Sequence, residues 1–313
     1  MKSLVGYTGF VGQNICAKTN FDGLYNSKNV QDSFGTCPDL LVFSGLPAEK
    51  FLANKNPEQD IAKVNTAIEN IKKIAPKQIV LISTIDVYPI PANVDEDTLI
   101  PSEGGSYYGK HRLLLEEFIE DYSNNNLVIR LPGLYGRGIK KNFIYDLIHI
   151  IPSLLNERKY QELSEKSPII KENYILNENG FYKLNPISGA DKIKLKKEFE
   201  RLNFTALNFT DSRGIFQFYN LENMWDDIQT ALSHNIKKLN IATEPIRIDE
   251  LHSYITGKTF KNEVLENNIP YYDFKSKYAS LFGGQNGYLY NKNSQLAGIK
   301  KFVKESQNEV FNI

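Results

Sequence analysis

Over the first 135 residues, short and continuously apolar runs separate longer stretches of helical periodicity. LLVF within Asp39–Ser44 and IVLI within Gln78–Ser83 show no polar alternation, the pattern of parallel strands covered on both faces. Ser3–Gly6, Asp22–Asn26 and Leu127–Leu131 complete the set of expected strands. Between them the periodicity predicts helices at Phe10–Thr19, Pro57–Ile74 and Gly105–Tyr122. In the second, Ile61, Val64, Ile68, Ile71 and Ile74 recur at spacings of three and four and build one apolar stripe. Strands alternating with helices predict βαβ units, hence an α/β fold with a Rossmann-type doubly wound parallel sheet. After Arg137 the pattern changes. Residues 153–212 are rich in Lys, Glu and Asn, with Asn177–Gly180 (NENG) as a hairpin turn between YIL and FYKL. Order returns over 214–242, an amphipathic helix starts in Arg247–Tyr254, and an exposed charged helix is expected from Lys292 onward. The division predicted is a doubly wound domain at 1–138, completed by about 214–242, and a smaller C-terminal α+β domain formed by 139–213 and 243–313.

Composition narrows the classes. The chain has 313 residues, with 37 Lys+Arg against 37 Asp+Glu. A formal charge of zero argues against a protein that lives on nucleic acid or an anionic membrane surface. The 41% hydrophobic and 12% aromatic content argues against disorder. Cys16 and Cys37 are too few for a disulfide framework or a four-thiolate zinc site, and they fit a reducing compartment. No run approaches the ~18 apolar residues a membrane helix needs, so a cytoplasmic protein is expected. His111, His149, His234 and His252 show no ligand spacing and read as ordinary helix or surface residues, so no metal is implied.

GYTGFVG, residues 6–12, follows the first strand and opens the first helix. Gly6 allows the tight turn, Gly9 lets backbone approach a pyrophosphate, and Gly12 lets helix pack on strand. The helix N-terminus then offers free amides and partial positive charge to phosphates. About 20 residues on, where an acidic residue would hold the adenosine ribose, stands Asn26. It lacks the charge that repels a 2′-phosphate, and Ser27 and Lys28 would bind one. That tilts the expected coenzyme from NAD towards NADP, although Lys28 reads equally well as a solvated loop residue. The third strand ends at Ser44-Gly45. The strand Gln78–Ser83 runs into Ser83-Thr84-Ile85-Asp86-Val87-Tyr88, and a hydroxyl at such a strand end can hydrogen-bond a reacting oxygen. Tyr108 and Arg112 are four apart on one helix face. A cation beside a phenol favours phenolate and lowers its pKa from about 10.

GYTGFVG, DLLVFSG, VNTAIENI, LISTIDVY, YGKHRLLLEE and VIRLPGLYGRG, in this order and spacing, resemble the extended short-chain dehydrogenase/reductase superfamily, the NAD-dependent epimerase/dehydratase type. The nearest style is that of the dTDP-4-dehydrorhamnose reductases. The resemblance covers most of residues 1–138 and is looser beyond. It implies an NAD(P)-dependent oxidoreductase moving hydride between nicotinamide and a sugar carbon. Thr84 matches the hydroxyl that polarises the substrate oxygen, and Tyr108 the acid/base. Gly6, Thr8, Gly9, Phe10, Val11 and Gly12 match the pyrophosphate turn. Ser44, Gly45, Ser83, Leu131, Pro132 and Gly133 match further coenzyme contacts, and Asn65 a proton-relay Asn or a neighbouring structural contact. Tyr88, Asn142 and Arg213 match substrate contacts. The departure is Arg112, where the family pattern Tyr-x-x-x-Lys has Lys. Arg112 would hold the ribose and bias the phenol, but it is bulkier and cannot readily relay a proton. Lys110, two residues from Tyr108, points to another face. A dehydratase would want an acid/base pair just after Thr84. Asp86 is present but no Glu follows it, which disfavours dehydration. Arg112 motivates an alternative from another class, an NAD(P)-binding sensor or scaffold subunit of little turnover. Residues 153–212 would serve as a partner-binding segment or a flexible lid. The partner expected is a small-molecule substrate, a nucleotide-sugar, with no nucleic acid and no membrane, in a possible homodimer packed through helices 57–74 and 105–122.

Overall fold

The structure, a computed structural model, describes residues 1–178 and 180–311. It divides into two compact units. The first comprises Met1–Ile139, Ile215–Ile246 and Pro270–Gln295, and the second Lys140–Gly214, Arg247–Ile269 and the chain from Leu296 onward. Pro270–Gln295 thus packs with the unit that contains the N-terminus, whereas the sequence places it in the other domain. The reason is local. Buried Phe274 exchanges hydrogen bonds with the Gln217 side chain at 2.9 and 3.0 Å. The backbones of Asp273 and Lys275 pair with Pro91, Asn93 and Val94, and Leu289 with Ala242.

The first unit is built on a six-stranded parallel sheet: β1 (Lys2–Val5), β2 (Gly23–Tyr25), β3 (Leu40–Phe43), β4 (Ile79–Thr84), β5 (Asn126–Leu131) and β6 (Lys238–Asn240). The order across the sheet is β6-β5-β4-β3-β1-β2. β2 is added on one side of β1 and β3 on the other, so the strand order reverses at the β1/β3 boundary, the place where such sheets open a ligand crevice. The apolar runs are covered on both faces, as their lack of alternation implies. Leu41, Phe43, Ile79, Leu81 and Val128 pack with Val64 and Ile71 of α3 (Pro57–Ile74) and Leu115 and Ile119 of α4 (Tyr107–Tyr122). Leu4, Val42, Val80, Leu127 and Ile129 pack on the other face, with Ile15 of α1 (Phe10–Cys16) and with Trp225 and Ile228. A short helix absent from the sequence-based expectation, Lys50–Lys55, precedes α3.

The second unit has its own core of Ile151, Leu155, Leu163, Ile170, Tyr174, Leu195 and Phe199. A three-stranded antiparallel sheet (Leu154–Asn156, Phe181–Leu184, Tyr174–Leu176) and the helices Glu157–Lys166 and Gly189–Arg201 surround it. Tyr174–Leu176 and Phe181–Leu184 pair antiparallel across the NENG turn, although Asn179 itself lies outside the described residues. Among the described residues, no helix is long and apolar enough to cross a membrane.

Candidate active site

In a parallel sheet the strand ends share one edge. Val5 is level with Tyr25 and Phe43, Phe43 with Leu81, and Thr84 with Leu131. Gly6, Asn26, Ser44 and the stretch after Leu131 therefore leave the sheet on one side, together with the turn after Thr84. Gly6 has φ +95°, and a Cβ there would lie 2.5 Å from the Ser44 carbonyl oxygen. A Cβ on Gly12 would lie 2.2 Å from the Gly6 carbonyl oxygen. The turn and the seating of α1 require both glycines. Gly9 differs: its φ is −76°, and a Cβ would meet only the Gly6 oxygen, at 3.2 Å. The fold does not demand a glycine there, which leaves open approach to the backbone as the reason for one. Thr8 and Gly9 are exposed, Phe10 and Val11 half-buried. The amides of Phe10, Val11 and Gly12 have no acceptor among the described residues, and the first turn of α1 holds no acidic side chain. These features fit a bound anion such as a pyrophosphate.

The neighbouring strand ends frame this turn. The Gly6 amide donates to the Tyr25 carbonyl at 2.7 Å, and the Ser44 hydroxyl to the Val5 carbonyl at 3.1 Å. Asn26 shapes its loop by accepting the Lys28 amide at 2.8 Å, while Ser27 and Lys28 are exposed. Gly45 has little room, since a Cβ would lie 3.0 Å from Val5. Leu131 is buried, Pro132 half-buried, and exposed Gly133 donates its amide to the Gln217 carbonyl at 3.1 Å.

Thr84 ends β4, and its hydroxyl accepts the Asp86 amide at 3.2 Å. It is close enough to the Tyr108 hydroxyl to act on that group's ionisation. Tyr108 sits in the first turn of α4, where Ser106 caps the helix by accepting the Gly109 amide. Gly109 is fixed by packing, because a Cβ would lie 2.0 Å from the Asp86 carbonyl oxygen. That contact brings Tyr108 against the turn after β4. The phenol is 7% exposed. Burial raises its pKa above the ordinary value, Arg112, Thr84 and Lys50 act to lower it, and Asp86 adds to the rise. The sequence-based expectation of a lowered pKa is reversed, because desolvation outweighs the cations.

Arg112 explains part of this. Its guanidinium carbon stacks 4.4 Å from the Tyr108 ring centroid, but its hydrogen bonds lie elsewhere. Nη1 and Nη2 donate to the Asp60 carboxylate at 2.8 and 3.1 Å, and Nη2 also donates to the Pro47 carbonyl at 2.8 Å. Nδ1 of His111 contacts the same carboxylate at 2.8 Å. Burial favours the neutral Asp60, yet bonds and charge from Arg112 and His111 hold it below the usual carboxylate range. Read as an ordinary helix or surface residue, His111 is instead buried in an ion cluster. Asp60 is the residue that sequence reasoning missed. A carboxylate four residues before Val64, on the apolar stripe of α3, was the signal.

Most of the other expected residues are engaged with the protein itself. Asn65 is exposed on α3. The Ser83 hydroxyl donates to buried Glu116. Tyr88 is 3% exposed, and its hydroxyl accepts from Arg130 at 2.7 Å and donates to the Asp95 carbonyl at 2.5 Å. Expected at a substrate, Tyr88 is instead part of the interior. In the second unit, Asn142 caps its own helix by accepting the Ile144 and Tyr145 amides. Arg213 is tied to Asp211 through two donors at 2.9 and 2.7 Å, and to the Leu265 carbonyl.

A cavity of about 310 Å³ in the second unit is lined by Lys140, Lys141, Tyr145, Asp146 and Phe209 among others. A larger one, about 370 Å³, lies in the first unit among Asp95, Lys275–Lys277 and Gly284–Gly287 and is lined by neither Thr84, Tyr108 nor any residue of the glycine turn. Burial alone pushes the Asp146 carboxyl up to about 7. The folded chain thus keeps a proton that the unfolded chain releases above about pH 4. The stability this group contributes is present below that pH and is lost as pH rises through about 7. Asp146→Asn should remove the dependence and stabilise the protein at about pH 8 by roughly 1–2 kcal/mol relative to about pH 5, after solvent screening. Urea midpoints at the two pH values check this.

No family model and no curated protein matches this chain. Solved structures do. The dTDP-4-dehydrorhamnose reductase from Yersinia enterocolitica superposes with a TM-score of 0.62 at 14% identity, covering 99% of this chain and 100% of that one. The dTDP-4-dehydrorhamnose reductase from Bacillus anthracis, in complex with NADP, gives 0.62 at 15% identity over 97% and 100%. A UDP-glucuronic acid 4-epimerase mutant from Bacillus cereus, in complex with a fluorinated UDP-glucuronic acid and NAD, gives 0.61 at 16% identity over 98% and 99%. The chain therefore shares the Rossmann-type α/β fold of these solved reductases and epimerases.

Proposed function

We propose that this protein is an NAD(P)-dependent oxidoreductase whose proton-transfer group is Tyr108. The observation that carries this is the meeting of Thr84, at the end of β4, with Tyr108, at the start of α4, on the same sheet edge as an anion-ready glycine turn. A nicotinamide coenzyme, when bound, supplies or accepts the hydride. Gly9 and the amides of Phe10, Val11 and Gly12 would hold its pyrophosphate, and Asn26 its ribose. Thr84 Oγ1 orients the reacting oxygen, and Tyr108 Oη gives it a proton or takes one from it. A phenol whose pKa burial raises further is protonated at neutral pH, the form that donates when the substrate is reduced. That the substrate is a nucleotide-activated sugar rests on the resemblance of the motifs and on what the structural neighbours are named for.

The test is titration of the protein with NADPH and NADH, followed by coenzyme fluorescence. Saturable binding is expected, tighter for NADPH. Gly9→Ala should weaken it by roughly tenfold, because the methyl occupies the approach to the backbone, while the unfolding midpoint stays close to that of the parent. No binding of either coenzyme would sink the reading. One observation favours a second reading, a coenzyme-binding protein of low turnover: Asp60 and Pro47 hold three of the five donors of Arg112, which leaves little for a ribose.

A further inference from the structure

The first unit places a second cation near Tyr108. Lys50 opens the short helix Lys50–Lys55, and its ammonium donates to Asp86 Oδ1 at 2.9 Å. The Tyr272 hydroxyl donates to the same oxygen at 3.1 Å and accepts from Lys50 at 3.5 Å. Two contacts fix this cluster against the phenol. Asn54, on the same short helix, accepts the Tyr108 amide at 3.0 Å. The Asp86 backbone lies against Gly109 so closely that no side chain fits there. Lys50, Asp86 and Tyr108 are thus held by backbone as well as by side chains.

Resting on the oxidoreductase reading above, we propose that Lys50 is the positioning cation of the Tyr108 centre, doing from a different helix the electrostatic work that Arg112, committed to Asp60 and Pro47, does only in part. Two effects follow from its place. It neutralises Asp86, whose negative charge opposes phenolate. It also adds its own positive field, from a side chain 46% exposed and so partly screened, to a phenol that is buried. Burial alone would lower the pKa of the ammonium, but Asp86 and Tyr272 hold it above the ordinary value, so it stays charged. The groups facing Tyr108 are Arg112 on its own helix, Lys50 on the short helix, and Asp86 in the turn after β4, with Tyr272 behind it. Asp60 of α3 is spent on Arg112 and His111, and Glu116, a turn further along α4, on Arg130.

The test places difluorotyrosine at position 108, so that the phenol ionises where the fold is intact, and follows it by fluorine NMR against pH without coenzyme. Lys50→Met should raise the midpoint by about one unit, a tenfold tighter hold on the proton. Lys50→Arg should restore most of it. Asp86→Asn should lower the midpoint relative to the parent, which keeps the question decidable if Lys50→Met does not fold. A midpoint unmoved or lowered by Lys50→Met, or unmoved by Asp86→Asn, overturns the proposal. Because no coenzyme is used, this outcome is separate from the coenzyme titration: absent coenzyme binding removes the enzymatic reading and leaves the ionisation result standing.

Discussion

Tyr108→Phe will lower turnover by about 10²–10⁴-fold, the range for loss of a positioned proton donor, while coenzyme affinity stays within about twofold. The structure separates the two effects. Phenylalanine keeps the ring on which the Arg112 guanidinium stacks at 4.4 Å, and it keeps the buried packing of the first turn of α4. Only the hydroxyl beside Thr84 is lost. The ring stands at the end of β4, with β3 between it and the β1 glycine turn that would hold the pyrophosphate, so loss of the hydroxyl leaves the pyrophosphate contacts in place. The measurement is NAD(P)H oxidation across a panel of keto-sugar nucleotides, together with a fluorescence titration. Turnover unchanged by the substitution would remove Tyr108 from the chemistry and leave only a coenzyme-binding protein. The direction of reaction gives a second check. Burial keeps the phenol protonated at neutral pH, so reduction should be nearly flat through neutrality, whereas oxidation should rise with pH as the phenol ionises.

The parallel sheet was legible because strands buried on both faces have no polar alternation to disguise them. Leu41 and Phe43 pack towards α3 and α4, and Val42 to the opposite face, so all three positions must be apolar. The glycine turn was legible for a related reason. Gly6 and Gly12 are demanded by backbone contacts under 3 Å, and such contacts fix a spacing. The helix Lys50–Lys55 was not legible: of its six residues only Ala53 is buried, too few for a periodic signal. The second unit was hidden in the same way. Leu163 is the one buried residue of Glu157–Lys166, so a charged surface masks a packed helix, and a segment read as a lid or docking stretch has a core of its own. At the site, spacing alone identified the Tyr108–Arg112 pair. It could not reveal that Arg112 is turned onto Asp60, because that contact joins residues 52 positions apart. Ser83 and Tyr88 were drawn in by their nearness to Thr84. Ser83 lies within the strand and meets Glu116 beneath α4, whereas Thr84 ends the strand, where its hydroxyl meets the Asp86 turn and Tyr108 at the start of α4.

That inner network should also show the largest loss of stability in the molecule. Glu116 and Arg130 are each 1% exposed. The guanidinium meets the carboxylate through Nε at 3.2 and 3.0 Å and Nη2 at 2.6 Å, and reaches the Tyr88 hydroxyl through Nη1 at 2.7 Å. Ser83 completes the carboxylate's partners. Burial acts to lower the pKa of the Arg130 guanidinium and Glu116 more than offsets it; with the carboxylate gone, a guanidinium is still too strong a base to shed its proton at neutral pH and is left charged and unpaired. Glu116→Ala is expected to cost about 3–5 kcal/mol, the penalty of an uncompensated buried charge, read as a lowered urea midpoint. Glu116→Leu combined with Arg130→Met should lose less than Glu116→Ala alone, because an apolar pair of similar volume carries no such penalty. Equal losses in the single and double variants would mean that packing around β4, α4 and β5, and not the charge, sets the stability here. The same comparison bears on the site. The network anchors α4 through Glu116, about two turns beyond Tyr108, so a double variant that folds well but holds the phenol loosely should lose turnover while keeping its unfolding midpoint. Preserved turnover would instead mean that the Gly109–Asp86 contact and the Asn54 bond to the Tyr108 amide suffice to position the phenol.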